Sequence, residues 1–287
     1  MTTNNPTRRV VVGVDPSANA ARAAEWAARE ATDRGATLHL VHAMNQPHGT
    51  SLVDPASSVR TMHETAAGQL DQVAGSLRTR FPNLTITTEV SELGAAETLV
   101  TLSREAELVV TGTRGHGGFT GMLLGSVSHR TAAHAHCPVV VVREEASETA
   151  RNEIVLGIEP DEDPAPIQFA FATAAQLGAT VTAVRTWLPV TTYGGYAVAP
   201  LEGVEREQRE DVEQLLKAIR QEFPGVEVTT RFVNGNAVPA LVEASTGARL
   251  AVLGAHHRHG PLPIGAGYVV QGVLSHARTP VAVVPIS

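Results

Sequence analysis

The chain is written twice. Arg9-Val-Val-Val-Gly-Val-Asp15-Pro16 returns as Glu153-Ile-Val-Leu-Gly-Ile-Glu159-Pro160, and Gly35-Ala-Thr-Leu38 returns as Gly178-Ala-Thr-Val181. Phe81-Pro82 is answered by Phe223-Pro224, and Leu108-Val-Val-Thr-Gly112 by Leu250-Ala-Val-Leu-Gly254. Cys137-Pro-Val-Val-Val-Val142 is answered by Thr279-Pro-Val-Ala-Val-Val284. The offset is 144 at Asp15/Glu159, 143 at Gly35/Gly178 and 142 at Gly112/Gly254. So long a period with two copies is a domain duplication and not a solenoid. A length of 287 residues also suits two domains. The charged segment Arg143–Glu153 is the natural linker, which predicts domains over 1–147 and 148–287.

Within a copy, short β-branched runs alternate with helical stretches. Val10–Val14, Leu38–Ala43, Leu84–Val90, Leu108–Thr111 and Val139–Val142 read as strands. Ala20–Arg34, Ser57–Arg80, Ala95–Arg104 and Ser126–His136 read as helices, the first stopped by Gly35 and the second by Phe81-Pro82. Continuous apolar strands are buried on both faces, and strands alternating with helices imply a parallel sheet with right-handed crossovers. The predicted fold class is α/β: two tandem doubly wound, Rossmann-like domains, each with a five-stranded parallel sheet.

Composition narrows the chemistry. No apolar run reaches the ~20 residues of a membrane span, and MTTNNPTRR has no apolar stretch that would make a signal peptide. Cys137 is the only cysteine, so neither an internal disulfide nor a Cys-rich metal site is available. A reduced, cytoplasmic protein is expected. The net charge of −7 divides evenly, with 12 basic against 15 acidic residues to Glu148 and 10 against 14 beyond it. Nucleic acid, which wants a basic patch, is not an expected partner. Lys217 is the only lysine and has no glycine loop beside it, so a Walker-type phosphate loop is excluded.

Open parallel sheets bind ligands beyond the carboxyl ends of their strands, where connections diverge. That places Gly13-Val14-Asp15-Pro16-Ser17, Ala43 and Gly112-Thr-Arg114-Gly115 at the candidate crevice. The last loop continues through Gly125-Ser126-Val127-Ser128 into a helix and carries five glycines beyond Gly112. Such a backbone can approach an anion closely and adopt positive φ. The free amides and positive dipole end of the helix suit a phosphate. On residue type alone, Ser126 also reads as a helix cap and Asp15 as the cap of the helix that follows it.

Gly112-x2-Gly115-x9-Gly125-Ser126, with Asp15 after the first strand and a Pro-Val-Val-Val-Val final strand, resembles the nucleotide motif of the universal stress protein family. The resemblance covers essentially the whole chain as two tandem domains. It implies an adenine nucleotide hydrolase-like domain that holds ATP, with Mg2+ carried on the phosphates. By that resemblance Asp15 faces the ribose or adenine, and the backbones of Val14 and Ala43 flank the base. Gly112, Gly115, Gly125, Ser126, Val127 and Ser128 surround the triphosphate. Arg114 either offsets phosphate charge or is a solvated loop arginine. The second copy keeps Gly157, Gly254 and Gly267, but Glu159 answers Asp15, His257 answers Gly115 and Tyr268 answers Ser126. The expectation is one good nucleotide site, in the first copy.

Rival chemistries fit less well. His134-x-His136-Cys137 and His256-His257-x-His259 are dense donors without a recognised zinc spacing, so no metal site is expected. No G-x-S-x-G elbow accompanies Ser126, and no catalytic residue is assigned. Cys137 reads as an inert core thiol. The function expected from the resemblance is an ATP-binding regulator of stress adaptation or growth, not an enzyme. It implies pairing through the uncharged final strands, which in a tandem chain would join the two copies as an internal pseudo-dimer; a homodimer of chains is expected besides, and an unidentified protein partner has room. The alternatives are a slow ATPase or adenylyl-transfer enzyme on the same fold, or a flavin or nicotinamide redox module. The redox module is disfavoured because Gly13-Val-Asp15-Pro is no G-x-G-x-x-G fingerprint.

Overall fold

The computed structural model describes residues 8–44, 55–113, 115, 124–143, 150–159, 163–187, 201–256 and 267–286. The chain divides into two compact units, Met1–Glu144 and Glu145–Ser287.

Unit 1 runs β1 (Arg9–Gly13), α1 (Ala18–Arg34), β2 (Thr37–Ala43), α2 (Pro55–Arg80), β3 (Ile86–Ser91), α3 (Ala95–Leu102), β4 (Leu108–Gly112), α4 (Ser126–His134) and β5 (Val139–Val142). Its strands lie in the order β3-β2-β1-β4-β5 and every neighbouring pair is parallel. Unit 2 runs β6 (Arg151–Gly157), α5 (Ala165–Leu177), β7 (Thr180–Trp187), α6 (Leu201–Glu222), β8 (Val228–Asn234), α7 (Ala237–Ser245), β9 (Ala248–His256), α8 (Tyr268–His276) and β10 (Val281–Ile286). Its order is β8-β7-β6-β9-β10, again parallel throughout. The element types expected from the sequence are all present in unit 1. Their ends differ by one or two residues, where helix and strand termini fray.

The repeated Gly-Ala-Thr is a helix stop. Gly35 closes α1 at φ 60° and Gly178 closes α5 at φ 59°. That left-handed conformation is open to glycine at no steric cost. The start of α1 is set by Ser17, whose hydroxyl accepts the Ala20 amide at 3.1 Å. Its buried face is a run of small residues, Ala20, Ala23, Ala24, Ala27, Ala28 and Ala31. These let the helix lie close on the valines of β1, of which Val10, Val11 and Val12 are wholly buried. A buried ion pair stands beside them. Arg34 reaches Glu30 at 2.6 Å and Glu107 at 2.9 Å, tying the end of α1 to the residue before β4.

The strand order reverses between β1 and β4. Helices α1 and α2 pack on one face of the sheet, and α3 and α4 on the other. Two glycines at the strand ends mark those faces. A Cβ on Gly13 would lie 3.2 Å from Leu99 of α3, whereas a Cβ on Gly112 would lie 2.9 Å from the Asn19 carbonyl oxygen of α1. The connections leaving β1 and β4 therefore diverge to opposite sides, which opens a crevice at their carboxyl ends.

Candidate functional site

The segments leaving β1 and β4 meet at that crevice, beside the end of β2. Beyond β1, the Val14 amide donates to the Val41 carbonyl at 2.8 Å, which extends the β1–β2 ladder by one bond. The Val14 carbonyl lies 2.9 Å from His42 Nδ1. A carbonyl only accepts, so this nitrogen carries the proton. Asp15 then turns back on its own loop. Its Oδ1 accepts the Ser17 amide at 2.9 Å and the Ser17 hydroxyl at 2.5 Å. The cap of α1 is thus Ser17, and Asp15 supports the cap from one step away, which corrects the expectation that Asp15 itself would cap.

The loop after β4 is pinned at its base. Gly125 donates its amide to the Thr113 carbonyl at 2.7 Å, joining the residue after β4 to the residue before α4. The Ser128 hydroxyl donates to the Gly112 carbonyl at 2.6 Å, and Ser128 is buried. Gly115 comes against Asp15 so closely that a Cβ on it would collide with Asp15 Oδ2. Asp15, Gly112, Gly115, Gly125 and Ser128 are therefore gathered at one place. Val14 and Ala43 bound it along the β1 and β2 ends, and Gly13 is held behind it against α3. Arg114 lies outside the described residues.

Two expectations about this loop change. The cap of α4 is Gly125, at φ −75° and ψ 153°, and Ser126 is already the first helical residue. No side chain caps the helix. The amides of Ser126, Val127 and Ser128 at the first turn precede any intrahelical partner, since the first such bond runs from His129 to the Gly125 carbonyl at 3.0 Å. Nor is positive φ the reason for the glycines. Among the described residues the positive-φ glycines are Gly35, Gly178, Gly235, Gly247 and Gly267, which leaves out Gly112, Gly115 and Gly125. Close approach is what the first two of those positions supply: to α1 for Gly112 and to Asp15 for Gly115.

In unit 2 the Ile158 amide donates to the Val184 carbonyl at 3.1 Å, matching the Val14 bond. Beyond that, the local structure diverges. Glu159 is half exposed and pairs with Arg185. Gly157 sits behind the strand end, where a Cβ would lie 2.7 Å from Leu253, the residue before Gly254. Gly267 enters α8 at φ 82°, opposite in sign to Gly125, and Tyr268 is 83% exposed. His257 lies outside the described residues, as do His116 and His259. Among the described residues, no three His, Cys, Asp or Glu side chains converge as a metal site would need. No helix among them is long and apolar enough to cross a membrane.

Sequence reasoning passed over His42 and Asn19. Asp-Pro-Ser did carry a readable signal: an Asp two residues before a helix-capping Ser is an Asx turn. A histidine one residue short of a strand's end carries none.

The model of the universal stress protein family matches residues 6–143 and again 151–285. The chain belongs to this family. A universal stress protein from Mycolicibacterium smegmatis is 31% identical, with 96% of each chain covered. Universal stress protein Rv2623 of Mycobacterium tuberculosis is 30% identical, over 99% of this chain and 98% of the relative. The crystal structure of a universal stress protein from Archaeoglobus fulgidus superposes over 97% of this chain and 96% of its own, with a TM-score of 0.70 at 16% identity, a likeness of fold. This universal stress protein is therefore a tandem one, with each family match centred on one of the two five-stranded arrays.

Proposed function

We propose that unit 1 holds an adenine nucleotide, ATP, as a regulatory ligand. The observation that carries this reading is the closed loop after β4. Its ends are joined by the Thr113–Gly125 bond, it rests on Asp15 at Gly115, and it delivers the uncapped first turn of α4 to the crevice. Amides and a positive helix end at that position favour polyphosphate without an ammonium side chain. Gly115 and Ser126 are exposed, so the cradle is reachable from solvent.

In this reading Gly112, Gly115, Gly125, Ser126, Val127 and Ser128 surround the phosphates, chiefly through main-chain amides. The Ser128 hydroxyl is spent on Gly112 and acts by holding the cradle together. Asp15 faces the ribose or adenine, and the main chain at Val14 and Ala43 flanks the base. Mg2+ would arrive on the phosphates, which supply most of its ligands. No side chain is given a catalytic role, so occupancy rather than turnover is the signal, passed on through the surface offered to a protein partner. Self-association of the chain as a homodimer completes the reading and is measured by light scattering. Unit 2 binds nucleotide far more weakly, because Gly267, Tyr268 and Glu159 alter the same three points. Slow ATP hydrolysis is the second reading, favoured only if the purified protein turns over Mg2+–ATP and loses this with Asp15→Ala.

Mass spectrometry of the purified protein's small-molecule extract tests the first reading. Adenine nucleotide in near-stoichiometric amount supports it. Absence of nucleotide, together with no ATP uptake on titration, rejects it.

A further inference from the structure

The crevice of unit 2 contains an ion pair at a position where unit 1 has a histidine. After the matching Val14–Val41 and Ile158–Val184 bonds, the next residue on the second strand is His42 in one unit and Arg185 in the other. His42 donates to the Val14 carbonyl and goes no further across the crevice in any described contact. The Arg185 side chain is only 13% exposed. Its Nη1 lies 2.5 Å from Glu159 Oε1, and its Nε donates to Gln208 Oε1 at 2.7 Å. One guanidinium thus joins β7, the loop after β6 and helix α6.

The surroundings differ in the same sense. Arg185 is the register partner of Phe232 on β8, and the Arg209 guanidinium stacks 4.3 Å from that ring's centre. In unit 1 the corresponding register pair is His42 and Val90. Glu159 follows Ile158 and Arg185 precedes Thr186, and these outer two are the counterparts of Val14 and Ala43, the proposed walls of the base pocket. The ion pair connects those walls.

We propose that this position is the specificity switch between the two crevices: His42 leaves the base pocket of unit 1 open, and Arg185 with Glu159 closes that of unit 2 to an adenine nucleoside. The proposal rests on the nucleotide reading of unit 1. A neutral base entering unit 2 would have to separate an ion pair whose arginine is already largely removed from water, leaving each charge without its partner. The one-methylene difference matters here. Asp15 curls back to Ser17, whereas Glu159 spans outward to Arg185.

Adenosine is the probe, because without phosphates it ignores the altered loop before α8. Equilibrium dialysis of the full chain should give one adenosine per chain for the native protein and two for a folded Glu159→Asp/Arg185→His variant. The reverse change, His42→Arg with Asp15 left in place, should weaken adenosine at least roughly tenfold while leaving the melting temperature nearly unchanged. If the first double variant fails to fold, Arg185→Gln, which removes the charge and keeps much of the bulk, should give the same second site. A folded variant of unit 2 that still binds one adenosine overturns the proposal, as do two equal sites in the native chain. A native chain that binds neither adenosine nor ATP rejects the nucleotide reading itself, and this inference with it.

Discussion

Asp15 and Gly115, a hundred residues apart in sequence, touch at the carboxyl ends of β1 and β4: the side-chain oxygen Oδ2 fills the space where any Cβ at 115 would stand. The other oxygen of the same carboxylate anchors Ser17 and through it the start of α1. One side chain therefore couples the first turn of the domain to the loop proposed to cradle phosphate.

Gly115→Ala should separate those two loops. The added methyl cannot coexist with Asp15 in its present rotamer, so either the carboxylate leaves Ser17 or the loop lifts away. The expected result is at least roughly tenfold weaker ATP binding, with a stability loss of about 1 kcal/mol or less, since the position is exposed. Calorimetric titration beside a thermal melt separates the two effects.

Ser17→Ala and Asp15→Ala should behave differently. Removing the Ser17 hydroxyl deletes the cap of α1 and costs about 1 kcal/mol, seen as a melting point lower by a few degrees. Its effect on nucleotide affinity should be small. Asp15→Ala keeps the cap residue but takes away both the turn and the proposed ribose or base contact, so it should lose affinity more than stability. Equal losses of affinity in both variants would mean that Asp15 acts only through the helix start.

Gly112→Ala should destabilise unit 1 whether or not nucleotide is present. A Cβ there meets the Asn19 carbonyl oxygen at 2.9 Å and its carbonyl carbon at 3.0 Å, backbone that cannot swing aside. Overpacking of this kind costs about 1–3 kcal/mol, readable by urea denaturation. An unchanged midpoint would show that α1 yields more easily than its alanine packing suggests.

Cys137 should be inert in the folded protein. Burial pushes its thiol up to about 12 from an ordinary 9.0, and the hydrogen bond from the Val109 backbone offsets this only in part. The thiolate is the reactive form, so alkylation at pH 8 should proceed in denaturant and not in buffer, as mass spectrometry would record. The sign of the pH effect follows. Below pH 9 the thiol is neutral in both states; between 9.0 and about 12 only the unfolded chain ionises, so stability falls as pH rises through that window.

Much of this was legible from residue order alone, for identifiable reasons. Gly35 and Gly178 recur because a left-handed cap admits little else, and Val10–Val12 because a strand covered on both faces must be apolar. Those requirements are local, so they show in the sequence. The candidate site was legible in position and less so in cause. Gly112 looked like a phosphate contact; the backbone of α1 constrains it as well, which no local pattern reveals. Ser126 looked like a cap, but the cap is the glycine before it, since Gly125 holds the extended conformation that a cap requires. His42 and Arg185 were invisible, because a lone polar residue near the end of a strand carries no local pattern of its own. Their partners come from elsewhere in the chain: the loops after β1 and β6, and helix α6.

Titration of the full chain with ATP, native and Gly125→Val, tests the main-chain cradle most directly. Gly125 sits at φ −75° and ψ 153°, a conformation valine adopts freely, so the substitution should leave the fold intact while placing a branched side chain where phosphate meets the first turn of α4. The account predicts one tight site in the native chain and none in a variant that melts at nearly the same temperature. Unchanged affinity in folded Gly125→Val, or two equal tight sites in the native chain, would contradict it.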